Sequence, residues 1–299
     1  MKIGVANVDG IRTLVAPLDG FWVDISRAYH GYQRIIDYID GQVMHGIEEM
    51  LARGLLTRSF LDRVFDFLQK PGMLCEYKLR EEPTLLQPLR PNKIIAVGRN
   101  FRGFIEAGGY DVPDEPVFHA KASTVCIGPG TPIIVKERYG RVDHEGELAV
   151  LIGKHAQDVQ PEQAREYIAG YTLLNDITAR DIQRRDIERG YPWYRSKNLA
   201  TFCPLGPVVA LPEGLPWPIE IDIEVRVNGA VRQRANTREF LFDFPQLLSA
   251  VTQFIPLEPG DLLSTGTSEG SGPIAPGDIV EVSSPEIGAL RNPVVSGGT

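Results

Sequence analysis

The sequence predicts an α+β protein rich in strand, in which a small α/β unit precedes a larger β-rich part. Three observations lead there. IEIDIEVRVNG (219–229) alternates Ile219, Ile221, Ile223, Val225 and Val227 against Glu220, Asp222, Glu224 and Arg226, and ends in Asn228-Gly229. That is a strand with one buried face running into a hairpin turn. Turn signals recur at Gly128-Pro129-Gly130, Pro259-Gly260-Asp261 and Pro276-Gly277-Asp278, which cuts the second half into short strands. Pro83, Pro88 and Pro91 fall close together; proline removes backbone donors and fixes φ, so residues 81–92 read as an extended linker.

Ahead of that linker, residues 1–80 form the small N-terminal domain. KIGVANV, TLVAPLDG and WVDIS read as short strands, and DYIDGQVMHGIEEMLARGLL and TRSFLDRVFDFLQ carry apolar residues at helical spacing. After the linker, residues 93–299 open on the strand KIIAVG, followed by the glycine-bearing segment RNFRGFIEAGGYDVP. Helices are expected in PEQAREYIAG, TARDIQRRDIERG and FDFPQLLSAVTQF. No GxGxxG follows a strand, and neither a P-loop nor a solenoid or propeller period occurs.

Composition narrows the function classes. With 43% apolar and 23% charged residues the chain has ordinary globular composition, and its net charge of −8 argues against a nucleic-acid groove. No apolar run approaches a bilayer span, and the start lacks the apolar core of a secretory signal, so a cytoplasmic location is expected. Cys75, Cys126 and Cys203 are odd in number and widely spaced, which suits buried thiols in a reducing compartment better than a zinc site or disulfide framework.

The chemistry concentrates in VDHEGELAVLIG (142–153). In a strand, Asp143, Glu145, Glu147, Ala149 and Leu151 share one face, and His144, Gly146, Leu148, Val150 and Ile152 the other. Acids and apolar residues on one face describe a strand that runs from a polar mouth into a core. A second strand, YTLLND, ends in Asp176. Thr178 and Asp181 just beyond it also match a helix capping box. Three carboxylates that converge in a partly buried place need a cation, since mutual repulsion otherwise neutralises them. An oxygen-only set selects hard divalent ions, Mg²⁺ or Mn²⁺ first and Ca²⁺ as a third candidate. Spacing alone makes this a weak signal.

These segments together resemble the fumarylacetoacetate hydrolase family over roughly residues 90–295, with several motifs in one order: KIIAVGRNF, EPVFHAKASTVCIGPG, VDHEGELAVLIGK, GYTLLNDITARDIQ, SKNLATFCPLGP, GDLLSTGTSEGSG and PGDIVEVSSPEIGALRNPV. The resemblance implies a mixed β-sandwich roll or partly open barrel, usually dimeric, with a divalent metal at its mouth. It also implies an enzyme of 2-oxo or 1,3-dicarbonyl acids. Carried over residue by residue, Glu145, Glu147 and Asp176 become metal ligands, Lys197 the active-site lysine, and Arg180 and Gln183 substrate contacts. Lys121 is expected to bind substrate, tethering the far wall or a substrate carboxylate, with a structural ion pair as the alternative, and Thr267 to bind substrate through an anion-binding turn. Phe104 is expected to dry the lid.

Family frequency ranks hydrolysis of a C–C bond first. Oxaloacetate-type decarboxylation or keto–enol tautomerisation and dehydration of 2-keto-3-deoxy sugar acids follow, and a catalytically quiet metal-binding protein is a further alternative. The ranking is close because this chain departs from the hydrolytic pattern. Where that pattern has a histidine and, three residues on, a glutamate that together activate water, this chain has Phe104 and Ala107. Glu106 is the neighbouring acid that can replace the glutamate. His119 is a candidate base facing either the site or the core, whereas His144 is expected to point away from Glu145. The partners implied are a small 2-oxo acid and a second copy of the chain, with no nucleic acid and no membrane.

Overall fold

The computed structural model describes residues 1–298, as a mixed α+β fold built around one 11-stranded sheet. Strands Phe21–Asp24, Ile11–Leu18 and Lys2–Val8 form one side of that sheet. Cys203–Ala210, Ile168–Asn175, Gly146–Ile152, Leu262–Ser264, Ile94–Gly98 and Val117–Lys121 follow in spatial order. A separate five-stranded sheet contains the expected hairpin, Asp222–Val227 paired with Ala230–Asn236. Its turn residues Asn228 and Gly229 take φ of 52° and 80°, as a two-residue hairpin loop of this type requires. Both sheets are open.

The large sheet has a core on each face. Leu148, Val150 and Ile152 pack toward the five-stranded sheet, against Val225, Val280 and Val282 among others. Ala149 and Leu151 point the other way, into a second core with Phe60, Val64 and Phe67 of the helix Arg58–Leu68. A strand buried on both faces reads as a continuous apolar run, which is what LAVLI is. Gly146 packs directly against the five-stranded sheet: a Cβ there would lie 2.3 Å from Val225 Cγ2 and 3.1 Å from Val282 Cγ1. Overpacking of this kind costs about 1–3 kcal/mol, so Gly146→Ala is expected to lower the thermal midpoint by several degrees, as calorimetry would record.

Residues 1–80 do not stand apart from this architecture. Lys2 and Ile3 pair with Ala210 and Val209, which makes the N-terminal strands part of the large sheet. Thr84 and Leu85, inside the proline-rich stretch, pair with Asn7 and Ala6. Ile3, Val5 and Leu14 share their core with Leu174, Leu205 and Val209. Asp24 ends the third strand and caps the helix Ile25–Tyr32, accepting a hydrogen bond from the Arg27 N–H at 2.8 Å. PEQAREY is a 3₁₀ helix, Pro161–Tyr167, that leads straight into strand Ile168–Asn175.

Candidate active site

Local breaks in the two central strands place the carboxylates. The 142–153 segment is two strands, Val142–His144 and Gly146–Ile152, interrupted at Glu145. The break is held by Asn175, whose side-chain oxygen accepts from the Glu145 N–H at 2.9 Å, and by the Asp176 N–H, which donates to Glu145 O at 2.8 Å. Asp176 follows the last residue of its strand. The Thr178–Asp181 capping box does not form: the helix starts at Arg180 behind an Ala179 cap, and Thr178 Oγ1 donates to Asp176 O at 3.1 Å. Thr178 therefore fixes the turn that aims Asp176.

Glu145, Glu147 and Asp176 each place a carboxylate oxygen within 4.8 Å of the others, and all three residues are buried. Three oxygens that close, on side chains anchored by backbone, suit a hard divalent ion. Glu147 Oε2 accepts from Ser264 Oγ at 2.5 Å and from the Gly266 N–H at 3.1 Å, which leaves Oε1 free. Three cations offset the acids. Lys197 Nζ lies 2.5 Å from both Glu145 Oε2 and Asp176 Oδ2, Lys121 Nζ 2.6 Å from Asp176 Oδ1, and Arg180 Nη2 2.5 Å from Glu145 Oε1. Arg180 also reaches Asp143 Oδ2 at 2.9 Å and donates to Gln183 Oε1 at 2.8 Å.

The charge states follow. Burial and the neighbouring Asp176 carboxylate push the Glu147 carboxyl up to about 8. For Asp176, burial acts upward, but Lys121 and Lys197 outweigh it and hold the group well below the ordinary range. Burial alone would lower Lys197; the Asp176, Glu145 and Glu147 carboxylates reverse this and raise it. Glu147 thus carries a proton at neutral pH in the metal-free protein. A raised folded-state value gives stability that is full below the ordinary 4.5 and lost as pH rises through about 8. Asp176, lowered, contributes nothing variable over that window. The metal-free thermal midpoint is therefore expected to fall from pH 5 toward pH 9, and saturating Mn²⁺, displacing the proton, is expected to flatten that slope.

Next to this cluster lies a cavity of about 170 Å³ lined by Glu145, Glu147, Asp176, Lys197, Arg180, Gln183 and Thr267, with apolar walls from Val97, Phe104, Tyr110, Ile187 and Trp193. Phe104 stacks on Tyr110 with ring centroids 5.8 Å apart, and Arg99 covers the other ring at 4.6 Å. Arg99 itself has φ of 57°, a left-handed conformation uncommon for a non-glycine residue. Gly98 makes room for the indole of Trp193, since a Cβ there would lie 2.8 Å from it. Thr267 Oγ1 donates to Gly146 O at 3.0 Å and accepts from Gln233 Nε2 at 2.8 Å.

Two expected residues lie elsewhere. Lys121 is buried behind Asp176, donating to Lys197 O at 2.6 Å, and does not line the cavity; the structure gives it the ion pair, not the wall. Glu106 is exposed on the helix Arg102–Gly108 and also does not line the cavity. His144 points away from Glu145, and its Nδ1 lies 3.1 Å from Gln233 Oε1. His119 faces the cavity, edge-on to Trp193 at 5.8 Å, with Nε2 3.4 Å from Asp176 Oδ2. Burial lowers its pKa, against the pull of Asp176. Ser264 and Gly266 belong to the segment GDLLSTGTSEGSG, but nothing in its pattern pairs them with Glu147; Trp193, four residues before Lys197, carries no motif of its own.

Comparison with known proteins gives this geometry relatives. The family described as fumarylacetoacetate (FAA) hydrolase C-terminal matches residues 93–295. The mitochondrial oxaloacetate tautomerase of Xenopus laevis is 36% identical over 224 residues, covering 72% of this chain and 70% of that protein. A fumarylacetoacetate hydrolase from Exiguobacterium antarcticum superposes with a TM-score of 0.79 at 30% identity, covering 99% of this chain and 100% of the other. Maleylpyruvate hydrolase from Sphingobium sp. SYK-6, solved with manganese(II) and pyruvate, has a TM-score of 0.74 at 26% identity, with 100% of both chains covered. Among the described residues, no helix is long and apolar enough to cross a membrane.

Proposed function

The chain belongs to the fumarylacetoacetate hydrolase family, and from that premise we propose that it interconverts the keto and enol forms of a small 2-oxo dicarboxylic acid, with Mg²⁺ or Mn²⁺ held by Glu145, Glu147 and Asp176. The observation that carries this reading is the wall built by the helix Arg102–Gly108. Its cavity-facing side chain is Phe104, stacked on Tyr110, and its one acid, Glu106, is turned to solvent. Hydrolysis needs an activated water, and an effective base is worth roughly 10²–10⁴ in rate. Enolisation needs no water.

Charge complementarity favours the same class of substrate. With a divalent ion bound and Glu147 ionised, the ion, Lys121, Lys197, Arg180 and Arg141 would carry six positive charges against four from Glu145, Glu147, Asp176 and Asp143, an excess of two. A 2-oxo acid in its enolate form supplies a carboxylate and an adjacent oxyanion. A divalent ion held by Glu145, Glu147 and Asp176 would supply Lewis acidity to such a substrate. Lys197 adds a fixed positive charge beside the developing oxyanion. Arg180, oriented by Asp143 and Gln183, holds the second carboxylate. Phe104, Tyr110 and Trp193 exclude water, and His119, whose ring nitrogens make no well-formed hydrogen bond, is the cavity imidazole that can hold or move a proton at Nε2. This reading keeps the chain as a cytoplasmic homodimer, which sedimentation would show as about twice the chain mass.

Cleavage of a C–C bond is the second reading, favoured by the maleylpyruvate hydrolase neighbour with its manganese and pyruvate. NMR in D₂O with Mn²⁺-loaded enzyme separates the two; oxaloacetate and an acylpyruvate serve as substrates. Tautomerisation shows as accelerated exchange at the carbon next to the keto group, with the carbon chain intact. Pyruvate and a carboxylate fragment appearing faster than exchange would overturn it in favour of hydrolysis.

A further inference from the structure

Outside the lining of the cavity, two cysteines meet across a strand pair. The short strand Cys126–Ile127 runs parallel to the start of Cys203–Ala210, and Cys126 is the register partner of Cys203. Neighbouring strands lie roughly 4.7–4.9 Å apart, inside the roughly 4.4–6.8 Å Cα separation of disulfides, and register partners project from the same face. The two positions differ in access. Cys203 is fully buried, whereas Cys126 is partly exposed and lines a surface pocket of about 530 Å³ with Arg12, Arg90 and Ser123. Cys75, the third thiol, is exposed near a different pocket.

We propose that Cys126 and Cys203 form a reversible dithiol pair, oxidised to an intramolecular disulfide by hydroperoxides that reach Cys126 through this pocket. In the first step the Cys126 sulfur attacks one peroxide oxygen; the O–O bond breaks, leaving a sulfenic acid and, after protonation, water or an alcohol. In the second, the Cys203 sulfur attacks the Cys126 sulfur, the S–O bond breaks, and the departing hydroxide takes the Cys203 proton as water. Two electrons pass from the two sulfurs to the peroxide. The division of labour matches the surroundings: contact with the Cys203 thiol lowers Cys126, while burial raises Cys203. A thiolate-like, accessible sulfur is the one that meets oxidant first.

The bond would join two segments already laced together next to the carboxylates. Lys121 Nζ donates to Lys197 O at 2.6 Å, and the Ala122 N–H donates to Asn198 Oδ1 at 2.5 Å. A crosslink a few residues further on clamps the same pair of chains without displacing either lysine.

The test uses full-length protein carrying Cys75→Ser, treated with hydrogen peroxide. Free thiols titrated after denaturation are expected to fall from two to none, and dithiothreitol to restore both. The chain should stay monomeric on a non-reducing gel, peptide mapping should join the 126 and 203 peptides, and the thermal midpoint should rise by roughly 5 °C. In a Cys203→Ala variant, dimedone should trap a sulfenic acid at Cys126. Two thiols persisting after treatment, a crosslink between chains, or stable sulfenic or sulfinic acid at Cys126 with Cys203 present would each overturn the pairing.

Discussion

Glu147→Gln is expected to abolish turnover and to weaken Mn²⁺ binding by at least about 100-fold while leaving the fold intact. The amide keeps the shape of the carboxylic acid and an oxygen for Ser264 Oγ and the Gly266 N–H, which both donate to Glu147 Oε2. What it removes is the charge that a cation requires, and replacement even of groups that merely orient ligands costs 10–100-fold in affinity. Because folding above the ordinary 4.5 requires the wild-type side chain, pushed up to about 8, to take up a proton, the metal-free midpoints of variant and wild type should agree only near pH 4. By pH 9 they should have separated fully, with the variant the more stable, since it has no carboxylate whose burial opposes folding. Calorimetric metal titration and melts at the two pH values check all three points. Unchanged turnover or Mn²⁺ affinity would remove Glu147 from the ligand set.

Lys197→Met should give a different signature, loss of activity with metal retained. Lys197 Nζ bridges Glu145 and Asp176 from a buried position. Breaking a buried ion pair by removing one partner costs about 3–5 kcal/mol, so the metal-free variant should melt well below wild type. A divalent ion then supplies part of the missing charge, and Mn²⁺ should raise the midpoint of the variant more than that of wild type. Turnover should still fall by roughly 10²–10³, the usual effect of deleting a preorganised group beside a developing oxyanion. A metal-loaded Lys197→Met enzyme with wild-type kcat would show that the lysine serves only to balance the empty acids.

The Glu145–Glu147 pair was legible in the sequence because it is local; Asp176, a strand away, gave only a weak signal by spacing, and the family resemblance supplied the link. The hairpin at Asn228-Gly229 was legible for the same reason, since its turn chemistry and its alternation sit in one stretch. The interruption at Glu145 was not, because it depends on Asn175, 30 residues away. Nor could periodicity show that Lys2 and Ile3 extend the large sheet by pairing with Ala210 and Val209; register between distant strands leaves no local pattern. Lys121 and His119 illustrate the limit at side-chain level. Two residues apart on one strand, they share a face under simple alternation, yet His119 opens onto the cavity while Lys121 is sealed behind Asp176. The depth of each along the strand, set by Trp193 and by the Lys197 segment, decides between them.

A titration of the purified protein with Mn²⁺, followed by electron paramagnetic resonance with and without oxalate, tests whether Glu145, Glu147 and Asp176 hold one ion that a keto acid can reach. Oxalate presents two adjacent oxygens as a 2-oxo acid does, but cannot react. One Mn²⁺ per chain is expected, with oxalate binding only once the ion is present and altering its spectrum. Mn²⁺ that fails to bind, or oxalate that binds equally well to metal-free protein, would contradict that assignment.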